Sequence, residues 1–189
     1  MPNISKQMND SVDLLNHEEF LRGFIEGLMG TESAISNDSA IKIVEKQMKY
    51  YQESMMERKY GANRKAGEEF LKANLKNKDV KQTASGLQYK IITKGEGPVA
   101  TTTDRVKVHY EGRLIDGKVF DSSYKRGQPA TFGVNQVIKG WTEALTMMPA
   151  GSKWELYIPQ ELAYGAREQN EIPAFSCLIF TVELLEVMK

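Results

Sequence analysis

The chain has 189 residues, of which 41% are hydrophobic and 26% are charged, a composition typical of globular proteins with one or two domains. Its 25 lysines and arginines balance 25 aspartates and glutamates, which argues against a nucleic-acid-binding protein because phosphate contacts require clustered positive charge. No apolar run approaches the roughly 18 residues of a membrane-spanning helix. The single cysteine and two histidines argue against an internal disulfide and against a zinc site built from these residues.

The first 80 residues have a composition that favours long helices, because Pro2 is the only proline before Pro98. Asn16 followed by Glu19 predicts a helix start with a capping box. The apolar residues that follow share one helical face, and Gly30 is expected to end this helix.

A much longer helix is predicted from about residue 36 to about residue 76. At 1.5 Å per residue it would be roughly 60 Å long. Such a helix cannot bury its apolar stripe within its own small domain, so a second copy of the chain is the expected partner. The alternative is a break near Gly61 and a monomeric helical bundle. The stripe has spacings of three and four residues and consists of Ile41, Val44, Met48, Tyr51 and Met55.

The remainder of the chain has the alternating patterns and turns of a sheet. Between Arg105 and Leu114, apolar and polar residues alternate, and Asp116-Gly117 predicts a hairpin turn directly afterwards. In a second strand, over residues 153–158, Trp154, Leu156 and Ile158 alternate with Lys153, Glu155 and Tyr157.

One helix is predicted within this second part of the chain, from Val137 to Met148, where Pro149 stops it. One helix packed on a mostly antiparallel sheet makes the domain α+β. Further strands are predicted over 87–92, 118–121 and 177–187.

The sequence offers little for nucleophilic or metal-assisted catalysis. Cys177 begins an apolar strand without a basic neighbour, so a buried structural thiol is the favoured interpretation. His109 lies on the polar face of its strand, where a surface histidine is expected. We therefore expect no metal and no organic cofactor. The remaining signal is a set of aromatic and aliphatic residues near turns, which form either core or the walls of an apolar ligand pocket.

Several blocks of sequence, in order across residues 85–189, resemble the FKBP-type peptidyl-prolyl cis-trans isomerases. The stretch before them, from Gly67 to Tyr89, is similar to the macrophage infectivity potentiator subgroup of dimeric bacterial FKBP chaperones. The blocks are Val108–Gly112, Gly117–Ser123, Val137–Trp141, Ala163–Ala166, Ile172-Pro173 and Leu178–Leu184.

The resemblance implies an all-helical N-terminal dimerisation region with a long connecting helix, over residues 1–80. Residues 81–189 would form an FKBP-like antiparallel half-barrel sheet wrapped around one short helix. The implied activity is peptidyl-prolyl cis-trans isomerisation of unfolded or partly folded polypeptides that contain proline, with chaperone activity as a homodimer formed through residues 1–75. Binding of macrolide inhibitors follows from the same resemblance. It also places the protein in the periplasm or cell envelope, with the cytoplasm as the alternative because no signal peptide is visible.

The resemblance also assigns the residues of an isomerase site. Phe120, Asp121 and Tyr164 are expected to act on the substrate, and Trp141 to form the floor of the pocket. For Asp121 the alternative role is a turn acid paired with Arg126 or Ser123. For Tyr164 it is a core tyrosine bonded to the backbone. The other pocket residues are expected to be Tyr110, Arg126, Phe132, Val137, Ile138, Ile172 and Phe180.

The expected reaction requires no covalent intermediate. Rotation about the bond that precedes proline crosses a barrier of roughly 18–20 kcal/mol, and the twisted state is less polar than the planar amide. An apolar pocket therefore favours the twisted state by differential binding. The second hypothesis is a non-catalytic FKBP-fold binding module or holdase, which would protect client proteins without turning over a short proline peptide.

Overall fold

The computed structural model describes residue 25 and residues 37–189. The chain divides into two compact units, Met1–Tyr51 and Gln52–Lys189. The helix predicted between Asn16 and Gly30 lies outside the described residues apart from Ile25, which is helical and exposed. Within the described ranges, no helix is both long enough and apolar enough to span a bilayer.

Helix α1 is Asn37–Asn74, with 38 residues, and it confirms the long helix predicted from the spacing of apolar residues. It continues through Gly61, so the alternative of a break there is wrong. A Cβ added at Gly61 would meet only the flexible side chain of Glu57, which shows that this glycine is not needed for close backbone packing.

Seven antiparallel strands form one sheet in the described part of the chain. Six of them lie in the order β1-β2-β6-β7-β3-β4, and β5 pairs with β3 outside this path. The strands are β1 Val80–Gln82, β2 Gln88–Thr93, β3 Arg105–Leu114, β4 Val119–Ser122, β5 Ala130–Gly133, β6 Lys153–Ile158 and β7 Leu178–Met188. The sequence patterns miss β1 and β5, because strands of three or four residues are too short for alternation to be visible.

Strand β3 has the alternation that the sequence predicts. Val106, Val108 and Tyr110 are buried, while the residues between them are partly exposed. The predicted hairpin turn follows it, with Gly117 at φ 90°, a left-handed conformation that glycine adopts at little cost. This hairpin joins β3 to β4, so the residues of β4 come to lie beside Tyr110 and Gly112.

Helix α2, Lys139–Leu145, packs against the concave side of the sheet. It is shorter than predicted at both ends, since Val137 and Ile138 have extended backbone and the helix ends at a C-cap on Thr146. A Cβ at Gly140 would lie 2.6 Å from Ile158 Cγ2, so the absence of a side chain allows α2 to approach β6 closely. The buried residues of α2 and of the sheet form one core, which confirms an antiparallel half-barrel around one short helix.

The opposite side of the sheet carries a second, smaller core. Tyr157 is buried there with Val80 and Ile179, and Phe70 and Leu71 of α1 pack against them. The face of β6 that carries Tyr157 is therefore covered as well, because the C-terminal part of α1 packs on it, an arrangement that strand periodicity does not report.

Candidate active site

A cavity of about 660 Å³ opens at the end of the sheet where β3, β4, β5 and α2 meet. It brings together every residue of the predicted site except Arg126, and it also contains four residues that were not predicted. The predicted residues in its lining are Tyr110, Phe120, Asp121, Phe132, Val137, Ile138, Trp141, Tyr164, Ile172 and Phe180.

Trp141 forms the floor of this cavity. It is 4% exposed, and its ring is within 2–5° of perpendicular to three surrounding aromatic rings. The centroid distances are 5.3 Å to Tyr110, 5.3 Å to Phe180 and 5.8 Å to Phe132. Edge-to-face packing at these distances is favourable and geometrically specific, so the walls and floor hold each other in place.

A glycine in β3 makes room for the two phenylalanines of one wall. Phe120 and Phe180 pack edge to face with centroids 5.5 Å apart. A Cβ at Gly112 would lie 2.6 Å from an atom of each ring, closer than real Cβ contacts come. The shape of this wall therefore depends on Gly112 as well as on the two rings.

The polar edge of the cavity is a hydrogen-bonded group of three side chains. The Tyr110 hydroxyl donates to Asp121 Oδ2 at 2.5 Å, and Arg126 donates to the Tyr110 hydroxyl at 2.9 Å. Arg126 also donates to Asp121 Oδ1 and forms an ion pair with it. Arg126 thus lies outside the cavity lining and contacts Asp121 and Tyr110, and it is the partner expected under the alternative role of Asp121 as a turn acid.

These contacts set the charge states of the group. Burial raises the pKa of Asp121, but the hydrogen bonds from Tyr110 and Arg126 and the charge of Arg126 outweigh it, so the pKa is lowered from 3.8. Burial and the hydrogen bond to Asp121 raise the pKa of Tyr110. At neutral pH the cavity edge therefore holds an ionised carboxylate and a neutral phenol.

Tyr164 enters the cavity from the loop that follows β6. Among the described residues, no group pairs with its hydroxyl, in contrast to the alternative of a core tyrosine bonded to the backbone. Burial and then the nearby charge of Asp121 raise the pKa of Tyr164. The hydroxyl is therefore a neutral donor available to a bound ligand.

Four polar residues at the rim were not among the predicted site residues, namely Gln136, Gln169, Asn170 and Glu171. Asn170 has φ 50°, a left-handed conformation in which asparagine is enriched, and it lies in a tight turn closed by the pairing of Gln169 with Ile172. Glu171 pairs with Lys118 at 2.9 Å. The asparagine between polar residues was the available signal for this turn.

The two candidate nucleophilic or basic residues lie elsewhere. Cys177 is buried, and burial followed by the charge of Glu161 raises its pKa to about 12, so it is a thiol at neutral pH. His109 bonds to Ser123 at 3.0 Å and stacks on Tyr124. Neither residue lines the cavity. The cavity therefore offers a ligand apolar surfaces and hydrogen-bonding groups.

A half-barrel sheet that encloses one short helix, with an aromatic cleft at its open end, defines the FKBP class of fold. The family description "FKBP-type peptidyl-prolyl cis-trans isomerase" matches residues 97–185. A second description, "domain amino terminal to FKBP-type peptidyl-prolyl isomerase", matches residues 2–91.

Two of the known proteins similar to this chain carry the same family name, and a third is named for its place in the outer membrane. The FKBP-type 22 kDa peptidyl-prolyl cis-trans isomerase of Escherichia coli K12 is 45% identical over 187 residues, which cover 98% of this chain and 90% of that protein. FkpA of Aeromonas hydrophila is 43% identical over 178 residues, which cover 93% of this chain and 66% of that protein. The outer membrane protein MIP of Legionella longbeachae is 40% identical, with 96% of this chain and 79% of the relative covered.

Solved structures agree with this relationship. The crystal structure of FkpA from Escherichia coli matches with a TM-score of 0.69 at 34% identity, covering 98% of this chain and 91% of that chain. A peptidyl-prolyl cis-trans isomerase from Pseudomonas syringae matches with a TM-score of 0.64 at 41% identity, over 69% of this chain and 96% of that chain. The chain belongs to the FKBP-type peptidyl-prolyl cis-trans isomerases, in the group that includes FkpA and Mip.

Proposed function

We propose that this enzyme isomerises X-Pro bonds in the cavity above Trp141, where Phe120, Asp121 and Tyr164 act on the substrate. The observation that carries the proposal is the combination of an aromatic cleft with the hydroxyl of the half-buried Tyr164, which has no hydrogen-bond partner among the described residues. Arg126 would hold Asp121 and Tyr110 in place. The remaining lining residues, Phe132, Val137, Ile138, Ile172 and Phe180, would bind the proline ring and its neighbours.

The aromatic walls would lower the barrier by excluding water. A planar amide has the larger charge separation and is stabilised by solvation, whereas the twisted state has lost resonance and is less polar. Moving the bond into an apolar cleft therefore costs the planar state more than the twisted one. Each 1.36 kcal/mol of this difference corresponds to about a tenfold rate increase. The reaction requires neither a proton transfer nor a covalent intermediate.

The Tyr164 hydroxyl would hold one side of the rotating bond. It would donate to a substrate carbonyl and fix that half of the peptide while the proline ring turns over Trp141. Asp121 already accepts hydrogen bonds at both oxygens, so we assign it an electrostatic role at the cavity edge. Its charge and its bond to Tyr110 would orient groups near the imide.

Turnover of short X-Pro peptides tests this assignment. Removing the Tyr164 hydroxyl alone, in Tyr164→Phe, should lower kcat/KM about fivefold, the value of one hydrogen bond of about 1 kcal/mol. Phe120→Ala should cost about tenfold or more because it opens one wall to water. The control is Tyr124→Phe, which removes a hydroxyl bonded to Glu183 outside the cavity.

Two results would contradict the assignment. Wild-type activity in folded Tyr164→Phe and Phe120→Ala would place catalysis elsewhere. Absence of turnover in the folded intact chain would instead support the second hypothesis, a binding module or holdase.

The assembly is part of the same proposal. We propose a helical region over residues 1–80 and an isomerase domain over residues 81–189, with a homodimer formed through residues 1–75 and chaperone activity toward unfolded chains. Support comes from the apolar stripe of α1, in which Met48 is 52% and Met55 is 36% exposed. Large exposed apolar residues on a long helix are typical of a surface that a partner covers.

The location and inhibitor binding rest on the family. We propose a periplasmic or cell-envelope location, since one relative is named an outer membrane protein. The aromatic cleft would also accept macrolide inhibitors in place of a proline peptide, because both present a bulky apolar ring system to the same walls.

A further inference from the structure

The loop between β6 and β7 supplies two of the cavity walls without belonging to the sheet. It carries Tyr164 and Ile172 into the cavity. Its β-bridge, between Gln169 and Ile172, is internal to the loop. Backbone hydrogen bonds within the loop, such as the one from Gly165 to the carbonyl oxygen of Gln160 at 2.9 Å, shape it around Tyr164, and contacts with other elements anchor the loop as a whole.

Helix α1 supplies contacts at the far end of this loop. Asn63 Nδ2 donates to the carbonyl oxygen of Ala174 at 3.1 Å. The guanidinium carbon of Arg64 lies 4.2 Å from the centroid of the Phe175 ring, within the range of a cation–π contact. An exposed ion pair joins Lys59 to Glu168 at 3.2 Å, and such pairs contribute little on their own.

The residue under Arg64 has a strained backbone. Phe175 has φ 59° and is 3% exposed, and a bulky residue in the left-handed region is a genuine outlier. Strain of this kind persists only where the surroundings determine the conformation strongly. Asn63 on the preceding carbonyl and Arg64 on the ring are such surroundings.

Phe175 forms a backbone hydrogen bond with the residue that directly follows Tyr164. The Phe175 N–H donates to the carbonyl oxygen of Gly165 at 2.7 Å. Gly165 follows Tyr164 and has φ 59° itself, so the chain turns sharply at the point where the tyrosine enters the cavity. Ile172 lies three residues before Phe175 and is 5% exposed.

We propose that Asn63 and Arg64 are positioning residues for the isomerase site. They fix Ala174 and Phe175, and the bond from Phe175 to Gly165 then holds Tyr164 at the depth where its hydroxyl meets the substrate. Helix α1 is by this account part of the catalytic apparatus as well as a connection between regions. The inference rests on the proposed role of Tyr164 in the cavity.

The test uses the full chain and peptide turnover resolved into kcat and KM. Asn63→Ala and Arg64→Ala are expected to lower kcat/KM about three- to fivefold, mainly through kcat, because an effect transmitted through Tyr164 is limited by the roughly fivefold loss expected on removing its hydroxyl. Arg64→Lys should recover part of the loss, since it keeps a cation near the ring. Where Arg64→Ala does not fold, Arg64→Gln replaces it.

Two matched controls separate positioning from general damage to the helix. Glu57→Gln removes the ion pair that Arg64 forms at 2.8 Å and leaves the contact with Phe175 in place. Lys65→Ala changes an exposed residue of the same helix. Both controls should retain wild-type kcat/KM.

A spectroscopic measurement accompanies the kinetics. In ¹H–¹⁵N spectra, Asn63→Ala and Arg64→Ala should shift the amide signals of Tyr164, Gly165 and Ile172, while those of β2 and β6 stay in place. A purely structural role of the two residues in helix stability would not produce this pattern.

The outcomes distinguish this inference from the proposed function. If Asn63→Ala and Arg64→Ala stay within about twofold of wild type in kcat/KM while Tyr164→Phe is impaired, positioning by α1 is overturned and the cavity assignment stands. If Tyr164→Phe also retains full activity, the cavity assignment itself fails.

Discussion

The side chains at the polar edge of the cavity depend on one another. Asp121 accepts from Tyr110 and Arg126, and Arg126 also donates to the Tyr110 hydroxyl. Tyr110 in turn packs edge-on against Trp141. The charge of Asp121 is therefore coupled to the orientation of the Trp141 ring through Tyr110. A substitution of Asp121 should change both the charge at the cavity edge and the packing of Tyr110 on Trp141.

This coupling predicts a pH-dependent stability difference between the wild type and Asp121→Asn. The folded pKa of Asp121 is depressed below 3.8, so its contribution is fully present above that value and is lost as the pH falls through the folded pKa. Thermal midpoints measured from pH 7 downward should show a difference between the two proteins that shrinks toward zero below pH 3.8. The difference should be modest, because the Asp121 side chain is 41% exposed and solvent screens its ion pair. A difference that is independent of pH would contradict the account.

At the scale of elements, the wall formed by β3, β4 and β7 depends on a position without a side chain. Gly112→Ala would place a methyl group against both Phe120 and Phe180. We expect a loss of about 1–3 kcal/mol in the free energy of unfolding, the usual cost of overpacking a core, together with a lower kcat/KM. Urea unfolding and peptide turnover measure the two effects.

Gly61→Ala is the matched control for this substitution. It is the same chemical change in α1, where the added methyl group meets only the side chain of Glu57. Because alanine is favoured over glycine in a helix by about 1 kcal/mol, this variant should be at least as stable as the wild type. A Gly112→Ala protein with wild-type stability and activity would show that the wall is not as tightly packed as described.

Much of the fold follows from patterns in single elements. The alternation of Val106, Val108 and Tyr110 and the turn at Gly117 predict the β3–β4 hairpin, and the spacing of apolar residues predicts α1. The burial of Tyr157 could not be predicted, because it depends on α1 covering the far side of the sheet. Alternation shows that a strand is buried on both faces only when both faces carry apolar residues. In β6 the second face also carries Lys153 and Glu155, so the pattern indicates only one buried face.

The residues of the cavity were predictable from the family resemblance and not from patterns within single elements. Its aromatic residues come from separate strands, and no spacing along the chain shows that they meet; the resemblance to a known family supplied that information. The rim turn around Asn170 and the strain at Phe175 are conformations of single residues set by tertiary contacts. The asparagine signals the turn but not its contacts, and the strain at Phe175 has no signal in the sequence.

At the scale of the whole molecule, the account predicts a dimer formed through the N-terminal region. Sedimentation of the full chain should give twice its mass of 21.4 kDa, while a fragment over residues 52–189 should sediment as a monomer. This fragment keeps the part of α1 that covers Tyr157 and contacts Phe175, so it forms one compact unit. A full chain that stays monomeric at micromolar concentration would contradict the prediction.

The central claim is that isomerisation takes place in the cavity above Trp141, and one NMR sample tests it most directly. A proline-containing peptide is titrated into the ¹⁵N-labelled chain, and its cis–trans exchange rate is measured together with the shifts of the protein amides. The account predicts that exchange accelerates while the largest shifts fall on the strands and loops that carry Tyr110, Phe120 and Tyr164. Accelerated exchange with shifts confined to residues outside the cavity would contradict it.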